Sequence, residues 1–228
     1  MRIILGSGSP ARLTTLRSAG LQPEVLVSDV DEDAITAPNT PLLTLALALA
    51  KGEAVLQALA GVSSGSGLTS GPLSGLLSGL LSGRAVEPTI VIACDTLLEM
   101  DGRSHGKPGT IEIALDRLKS MSGGVGELHT GHFVAYLPSG VAEMGDIRTS
   151  TRVATTTVHF AQMSKADIDW YAAAGEPLHV AGSFTIDGYG GPFIERIEGD
   201  PHNVVGISLP LVRTMLLDLG VEWPQLFA

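Results

Sequence analysis

Two acidic residues follow apolar runs, where a folded chain could use them for chemistry. Asp95 comes after the apolar run VIAC, and open α/β sheets place ligands outside the carboxyl ends of their strands, so Asp95 is the foremost catalytic candidate. Glu32 lies in an acidic run after a second apolar segment, and Mg²⁺ is commonly held by one or two carboxylates together with substrate phosphates. Each residue also has a structural alternative: Asp95 would cap a turn, and Glu32 would lie in a solvated acidic loop.

A glycine–serine turn, GSGSPAR, joins the apolar residues 3–5 to a predicted helix and ends at Arg12. The unpaired backbone N–H groups of a helix N-terminus can hold phosphate oxygens, and an arginine beside them adds positive charge. This turn therefore predicts a phosphate ligand. Strands followed by a turn and a capped helix also occur in α/β proteins that bind no phosphate.

Two lysines could bring further positive charge to the same ligand. Lys107 stands in a tight Gly–Lys–Pro turn, which would aim its ammonium, although it could equally be an ordinary turn lysine. Lys51 lies within an apolar helical segment, so its ammonium must emerge either into a cleft or into bulk water. The sequence alone leaves both choices open.

The segment of residues 181–210 has more glycines than a packed core needs, which predicts that its backbone closely approaches another group. Asp187 in this segment could accept a hydrogen bond from an exocyclic amine or another donor on the edge of a base, and Asn203 could shape a turn. The alternative for Asp187 is a simple Asp–Gly turn.

Composition limits the class of partner. The 228 residues carry 14 Lys and Arg against 24 Asp and Glu, a net charge of −10, which argues against a nucleic-acid surface. A phosphate ligand must then be met by a few basic residues in one pocket, together with a divalent metal. The single cysteine, Cys94, excludes a disulfide framework and is expected to be a buried hydrophobe.

The chain is expected to be cytoplasmic and to have no membrane segment. Its longest apolar stretch, residues 42–50, is shorter than the roughly 20 residues that span a bilayer. The histidines show no spacing typical of a zinc site.

Strands and helices that mix along the chain predict an α/β fold with a mixed sheet and flanking helices. Strands are expected at residues 2–6, 24–28 and 89–93, then over 128–163 with a break at 138–140, and Asp101–Gly102 is expected to turn a hairpin. A first helix is expected after the glycine–serine turn, with Leu13 and Leu16 on one face and an end near Gly20. Further helices are expected at 40–60 with Thr40 as N-cap, at 110–121, from the capping box at Ser164 to 174, and from 210 to about 219. Residues 61–89, rich in Gly, Ser and Leu, predict a flexible insertion, or otherwise an ordered helix that binds a partner.

Together these segments resemble the Maf family of nucleoside triphosphate pyrophosphatases. The resemblance rests on the order and spacing of ILGSGSPAR, SDVDE, the helical Lys51, CDT, GKP, and the run from IDG through IEGDPHNVVGISLP. It covers most of the chain, which it describes as a single domain of residues 1–228, and it leaves residues 61–89 as an insertion.

The resemblance implies an ITPase-like mixed twisted sheet with two lobes around a nucleotide cleft, often in a homodimer. It implies that Asp95 is catalytic and that Glu32 and Asp95 hold Mg²⁺ or Mn²⁺. Substrate binding is implied for Ser7, Ser9, Arg12, Lys51, Thr96, Lys107 and Asp187. The reaction would be attack of water at the α-phosphorus, giving a nucleoside monophosphate and pyrophosphate.

Two positions depart from the family pattern. Ala11 stands where many members have an arginine, and Asp187 stands where some have a glutamine. Thr96 resembles the members that act on dTTP and UTP, whereas Asp187 would better accept the amine of cytosine in CTP. The base therefore stays open among the pyrimidines.

Two other functions compete. A nucleotide-binding regulator of cell division would use the same pocket without turnover, but the intact set of Glu32, Lys51, Asp95 and Lys107 argues against it. A dinucleotide-dependent oxidoreductase is disfavoured because residues 6–11 lack the third glycine of its fingerprint.

Overall fold

A mixed β-sheet forms the centre of the computed structural model, which describes residues 1–59, 87–139 and 146–227. The strands are β1 (Arg2–Leu5), β2 (Glu24–Val25), β3 (Thr89–Met100), β4 (Arg103–His105), β5 (Val125–Leu137), β6 (Arg148–Phe160) and β7 (Ile194–Glu198). Their order is β2-β1-β3-β5-β6-β7, with β4 paired to β3. β1 runs parallel to β2 and β3, and the remaining pairs are antiparallel. The predicted mixed α/β sheet is confirmed.

Helices cover both faces of this sheet. They are α1 (Pro10–Ser18), α2 (Thr40–Leu59), α3 (Ile111–Met121), α4 (Lys165–Ala173), α5 (Pro201–Val205) and α6 (Leu209–Asp218). Leu16 of α1 and Met215 of α6 pack in one buried cluster with Ile92, whereas Val55 of α2 packs in a second cluster with Ala93. Neighbouring residues of β3 therefore contribute to the cores on opposite faces of the sheet.

Four helices begin at residues with capping side chains, and the capping box predicted at Ser164 is one of them. Ser9, Thr110, Ser164 and Ser208 each accept a hydrogen bond from a backbone N–H in the first turn. Thr40 was wrongly predicted as the N-cap of α2, because Asn39 accepts from the N–H of Leu42 at 3.0 Å and does this work instead. The Thr40 hydroxyl bonds to Ser104 at 2.7 Å and so joins α2 to β4.

β3 is longer than the sequence predicted, and this corrects the placement of Asp95. The predicted strand ends at Ala93, before Asp95, but the observed strand runs on to Met100. It continues because β5 pairs with it from Thr89 through Glu99, across the polar Asp95–Thr96 step. The predicted turn at Asp101–Gly102 does join β3 to β4. β2 is shorter than predicted and ends at Val25.

α2 is long and apolar enough to cross a membrane by length and composition, with a mean hydropathy of 1.5 over its most apolar window. The core helix of a folded domain has the same properties, and α2 packs Leu47, Val55 and Leu56 into buried positions. The helix was predicted at residues 40–60, and its observed bounds agree with that prediction. Of the predicted insertion at 61–89, residues 61–86 lie outside the described residues, and Thr89 is already the first residue of β3.

Candidate active site

The candidate site lies at a gap in the sheet beside β3. β1 pairs with β3 as far as Ile92, and β4 pairs with it from Leu98 onward. Between these points, β3 has β5 on one side and, among the described residues, no strand on the other. Because side chains alternate along a strand, Asp95 and Thr96 face opposite sides of the sheet within this gap.

Arg12 approaches the gap from the α1 side and is only 9% exposed. Its Nε donates to the carbonyl of Gly206 at 2.7 Å, Nη1 to the hydroxyl of Ser7 at 2.8 Å, and Nη2 to the hydroxyl of Thr96 at 2.9 Å. A guanidinium has about five N–H donors in a planar fork, so some remain for a ligand. Arg12 is thus held in one orientation before any ligand binds.

Ser9 contributes to the turn that positions Arg12. Its hydroxyl accepts from the N–H of Arg12 at 3.4 Å, and its own N–H donates to the hydroxyl of Ser7 at 3.2 Å. These bonds place Ser7, Ser9 and Arg12 around the N-terminus of α1, where the sequence predicted an anion site.

Gly206 and Thr130 complete this side of the site, and the sequence analysis singled out neither of them. Gly206 has φ +114°, and a Cβ there would stand 3.2 Å from Nε of Arg12. Thr130 on β5 bonds to the hydroxyl of Thr96 at 3.0 Å. The position of Gly206 just after α5 could have marked it in the sequence as a residue with positive φ, whereas no feature near Thr130 in the sequence indicates its role.

Lys51 approaches the gap from the other face of the sheet. Its Nζ contacts Oδ1 of Asp95 directly and lies 2.9 Å from Oε1 of Glu32. The side chains of Lys51 and Asp95 are only 11% and 10% exposed, and that of Glu32 is 54% exposed. Of the two destinations that the sequence left open for the Lys51 ammonium, the cleft is therefore the observed one.

The close approach of α2 to the sheet makes this contact possible. Gly131 on β5 is paired with Asp95, and a Cβ on Gly131 would overlap the backbone carbonyl of Thr44 in α2. A larger residue at position 131 would push α2, and Lys51 with it, away from β3.

Glu32 and Asp95 are the residues that could hold a divalent cation. Two carboxylates converge on one ammonium, which leaves the group with a net negative charge. Mg²⁺ usually takes one or two carboxylates and completes its shell with phosphate oxygens and water. Within residues 1–59, 87–139 and 146–227, no cluster of three or more His, Cys, Asp or Glu is arranged to hold a metal by itself. Water or the oxygens of a bound ligand could supply the remaining positions.

Lys107 does not join either cluster in this structure. It is exposed in the loop after β4, and no hydrogen bond or ion pair is found for it among the described residues. Its neighbour Gly106 is anchored, because the Gly106 carbonyl accepts from the N–H of Gly182 at 3.2 Å and from the guanidinium of Arg117. Arg117, which sequence reasoning missed, also lies 3.4 Å from the hydroxyl of Ser183.

Asp187 is exposed and likewise makes no contact with Arg12, Lys51 or Asp95 in the described structure. It lies in a loop that continues from Gly182 and Ser183, so its segment begins where the Lys107 turn is anchored. The two predicted ligand-binding residues outside the clusters therefore belong to loops that are joined to each other.

Two other residues have structural roles. Asn203 is fully buried, and its Nδ2 donates to the carbonyl of Leu128 at 3.1 Å and to the hydroxyl of Thr156 at 3.1 Å, which fastens α5 to the sheet. Cys94 is buried in the core, as expected, and burial raises the pKa of its thiol to about 12. At neutral pH it is therefore a protonated thiol and a poor nucleophile.

The family model for Maf-like proteins matches residues 2–219 of the chain. A protein from Saccharopolyspora erythraea named nucleoside triphosphate pyrophosphatase is 45% identical over 227 residues, which cover 97% of this chain and 95% of that protein. A protein of the same name from Streptomyces coelicolor is 44% identical over 227 residues, covering 100% of this chain and 95% of that protein. Another protein of this name, from Salinispora tropica, is 43% identical over 221 residues, which cover 97% of this chain and 85% of that protein. The similarity extends along nearly the whole chain.

Proposed function

The chain belongs to the family of Maf-like proteins, and on that premise we propose that it hydrolyses pyrimidine nucleoside triphosphates to the nucleoside monophosphate and pyrophosphate. Its relatives are named nucleoside triphosphate pyrophosphatases, which are hydrolases that act on phosphoric anhydrides. The observation that carries the proposal is the contact between Lys51 and Asp95 on one face of β3, with the Arg12 guanidinium on the other.

The electrostatics of the gap suit a triphosphate. A chain with net charge −10 repels polyphosphates unless basic groups are concentrated where the phosphates bind. Arg12 offers the N–H groups that Ser7, Thr96 and Gly206 do not use, and a guanidinium recognises phosphate oxygens in pairs. Lys107, in its exposed turn, would approach the phosphates only when they are bound.

Asp95 would act as the general base. A water molecule attacks the α-phosphorus, the bond from that phosphorus to the bridging oxygen breaks, and pyrophosphate leaves with the electron pair. Asp95 orients the water and takes its proton, a role that requires the carboxylate to be held within hydrogen-bond distance of the water. Lys51 supports this role because its ammonium fixes the orientation of the Asp95 carboxylate before substrate arrives.

Glu32 and Asp95 would also hold a Mg²⁺ or Mn²⁺ ion together with the phosphate oxygens. Such an ion, when bound, would neutralise the negative charge that develops on the departing pyrophosphate. Lys51 already balances part of the charge of the two carboxylates and keeps them close to each other.

Thr96 and Asp187 support a pyrimidine substrate, one of dTTP, UTP and CTP or a modified form of them. The exposed Asp187 carboxylate can accept a hydrogen bond from an exocyclic amine, which favours cytosine. We also propose a cytoplasmic location and no nucleic-acid partner, in line with the net charge and the single buried cysteine. A homodimer remains a proposal that rests on the family alone.

The test is a product analysis across a panel of canonical and modified nucleoside triphosphates, with Mg²⁺ or Mn²⁺. We expect pyrimidine triphosphates to yield pyrophosphate and monophosphate. We expect the corresponding diphosphates to yield no monophosphate. Release of orthophosphate would indicate attack at the γ-phosphorus and would contradict the proposed reaction. Nucleotide binding without any turnover would instead favour the regulator of cell division.

A further inference from the structure

The loop of residues 185–190, which carries Asp187, is organised around the carboxylate of Glu176. Oε1 of Glu176 accepts from the hydroxyl of Thr185 at 2.6 Å and from the N–H of Gly190 at 3.1 Å, and Oε2 accepts from the N–H of Tyr189 at 3.0 Å. The hydroxyl of Tyr171 donates to the same carboxylate at 2.9 Å. One side chain therefore ties both ends of the loop to α4.

The glycines of this loop allow its backbone to reach Glu176. A Cβ on Gly188 would overlap Oε2 of Glu176, and a Cβ on Gly190 would stand 2.5 Å from the hydroxyl oxygen of Tyr171. Neither glycine has a positive φ, so close approach and not backbone conformation requires glycine here. The group that this glycine-rich segment was predicted to approach is, at these two positions, Glu176 with Tyr171.

Hydrogen bonds keep Glu176 in its ionised form. Burial by itself would raise the pKa of this carboxyl, but the bonds from Thr185, Tyr189, Tyr171 and Gly190 lower the pKa below its ordinary value. A charged carboxylate that accepts several donors holds them more firmly than a neutral group would.

Two exposed aromatic rings mark the outer side of the same loop. The ring of Tyr189 lies 6.0 Å from that of Trp170 on α4, and these residues are 60% and 54% exposed. The contact depends on the position of the Tyr189 backbone, whose N–H is bound to Glu176. Trp170 therefore reports on whether the loop is in place.

The loop begins next to the gap beside β3. The N–H of Gly182 donates to the carbonyl of Gly106, and a Cβ on Gly182 would stand 2.7 Å from Cβ of Leu98, where β4 begins to pair with β3. Asp187 follows five positions later, after the buried Phe184. Its place relative to the gap is thus fixed at one end by the core and at the other by Glu176.

We propose that Glu176 is a positioning residue for base recognition: it fixes the loop of residues 185–190 so that Asp187 meets the exocyclic amine of the nucleobase. The inference rests on the proposed function, since it assumes that a nucleoside triphosphate binds in the gap. Glu176 does not touch the substrate and acts through the backbone of the loop.

The substitution Glu176→Gln tests this role with little change in volume. An amide presents one acceptor oxygen and one donor nitrogen, so it cannot accept the bonds now made to both carboxylate oxygens. We expect the ratio of kcat/KM for CTP to that for UTP to fall by about tenfold, through KM, while kcat for CTP changes much less. In an Asp187→Asn background, Glu176→Gln should change the ratio no further.

Two further measurements separate positioning from a general loss of structure. In a Trp223→Phe background, where Trp170 is the remaining tryptophan of the two, Glu176→Gln should shift the tryptophan emission. The matched control is Glu24→Gln, which removes an exposed carboxylate bonded to Arg2 at the other edge of the sheet and should alter neither the ratio nor the emission.

The outcomes distinguish this inference from the proposed function. If the wild-type protein releases pyrophosphate from no triphosphate, the proposed function fails. If it releases pyrophosphate but does not discriminate CTP from UTP, or if Glu176→Gln lowers kcat/KM equally for both, the inference alone is overturned.

Discussion

Gly52 of α2 lies against the ring of Phe133 on β5, so closely that a Cβ on Gly52 would overlap ring carbons of Phe133. Lys51, the preceding residue, thereby comes near enough to β3 for its ammonium to contact Asp95. A position that costs helix stability is thus occupied by glycine because the helix must lie close to the sheet.

We predict that Gly52→Ala lowers both stability and activity. Alanine favours the helix by about 1 kcal/mol, but overpacking against a buried ring costs typically 1–3 kcal/mol, so the net effect should be destabilising. The displaced Lys51 would release Asp95, and kcat should fall by about tenfold or more. Urea denaturation and pyrophosphate release measure the two effects. Adding Phe133→Leu should restore part of the activity; a fully active single variant would show that α2 tolerates displacement.

Asp95→Asn should abolish turnover and leave nucleotide binding detectable. The amide keeps the size of the side chain but cannot take a proton, and loss of a general base costs about 10²–10⁴-fold in rate. Pyrophosphate release and calorimetric titration with a nucleotide check the two halves of this prediction. Asp101→Asn is the matched control, because Asp101 is exposed in the β3–β4 turn with φ +50°, where asparagine is tolerated. Loss of nucleotide binding in Asp95→Asn would instead show that Asp95 is needed for the structure or the binding of the site, and would leave its role as general base without support.

Chelation of divalent metal should stop turnover, and Glu32→Gln should raise the Mn²⁺ concentration needed for half-maximal rate. The reason is that Glu32 supplies one of the two carboxylates that meet at the Lys51 ammonium in the described part of the chain. Paramagnetic resonance of Mn²⁺ in the presence of nucleotide gives a readout independent of turnover. Asp33→Asn, in the same exposed acidic loop, serves as control. An equal loss of Mn²⁺ affinity in both variants would show that the negative charge of the loop attracts the ion and that Glu32 is not a specific ligand.

His132 should make the protein less stable in mild acid. It is fully buried on β5 between the carbonyl of Thr130, which lies 2.9 Å from Nδ1, and the N–H of Ser208, which donates to Nε2 at 2.8 Å. Nε2 must therefore stay unprotonated, and burial lowers the pKa of His132 from 6.5 to about 4. Between these two values the unfolded chain binds more protons than the folded one, so stability falls as the pH drops through that window and is fully present above it.

The free energy of unfolding should fall by about 3 kcal/mol across this pH window, because the pKa of His132 differs by roughly two to three units between the unfolded and folded chain. Urea denaturation at several pH values should show the decline for the wild-type protein and a smaller slope for His132→Gln. His179→Gln removes an exposed histidine and should leave the slope unchanged. Equal slopes for the wild type and His132→Gln would assign the acid sensitivity to other groups, such as the buried His129 and the partly buried His105.

Features that depend on neighbouring residues could be predicted from the sequence. The capping box at Ser164 involves bonds within three residues, and this helix start was predicted correctly, as was the start of the helix near Thr110. The end of β3 was predicted wrongly, because a polar Asp95 inside a strand is stabilised by pairing with β5 and by Lys51, and neither of these is near it in sequence.

The same distinction applies to the site. Motifs marked Ser7, Arg12, Lys51 and Asp95, but Arg12 is held by Gly206, a residue 194 positions away. Arg117 and Glu176 have no motif, since each acts by holding the backbone of a loop whose course the sequence does not reveal. Lys107 and Asp187 were named from their turns, and the structure leaves their contact with substrate as a prediction.

Asp95 and Thr96 are adjacent in sequence, yet they serve opposite faces of the sheet, one toward Lys51 and the other toward Arg12. A shift of β3 by a single residue relative to β5 would exchange the faces of every side chain along it. The strand register is thus itself part of the proposed catalytic site. Insertion or deletion of one residue within β3 should therefore yield an inactive protein, because it would move Asp95 or Thr96 to the wrong face of the sheet.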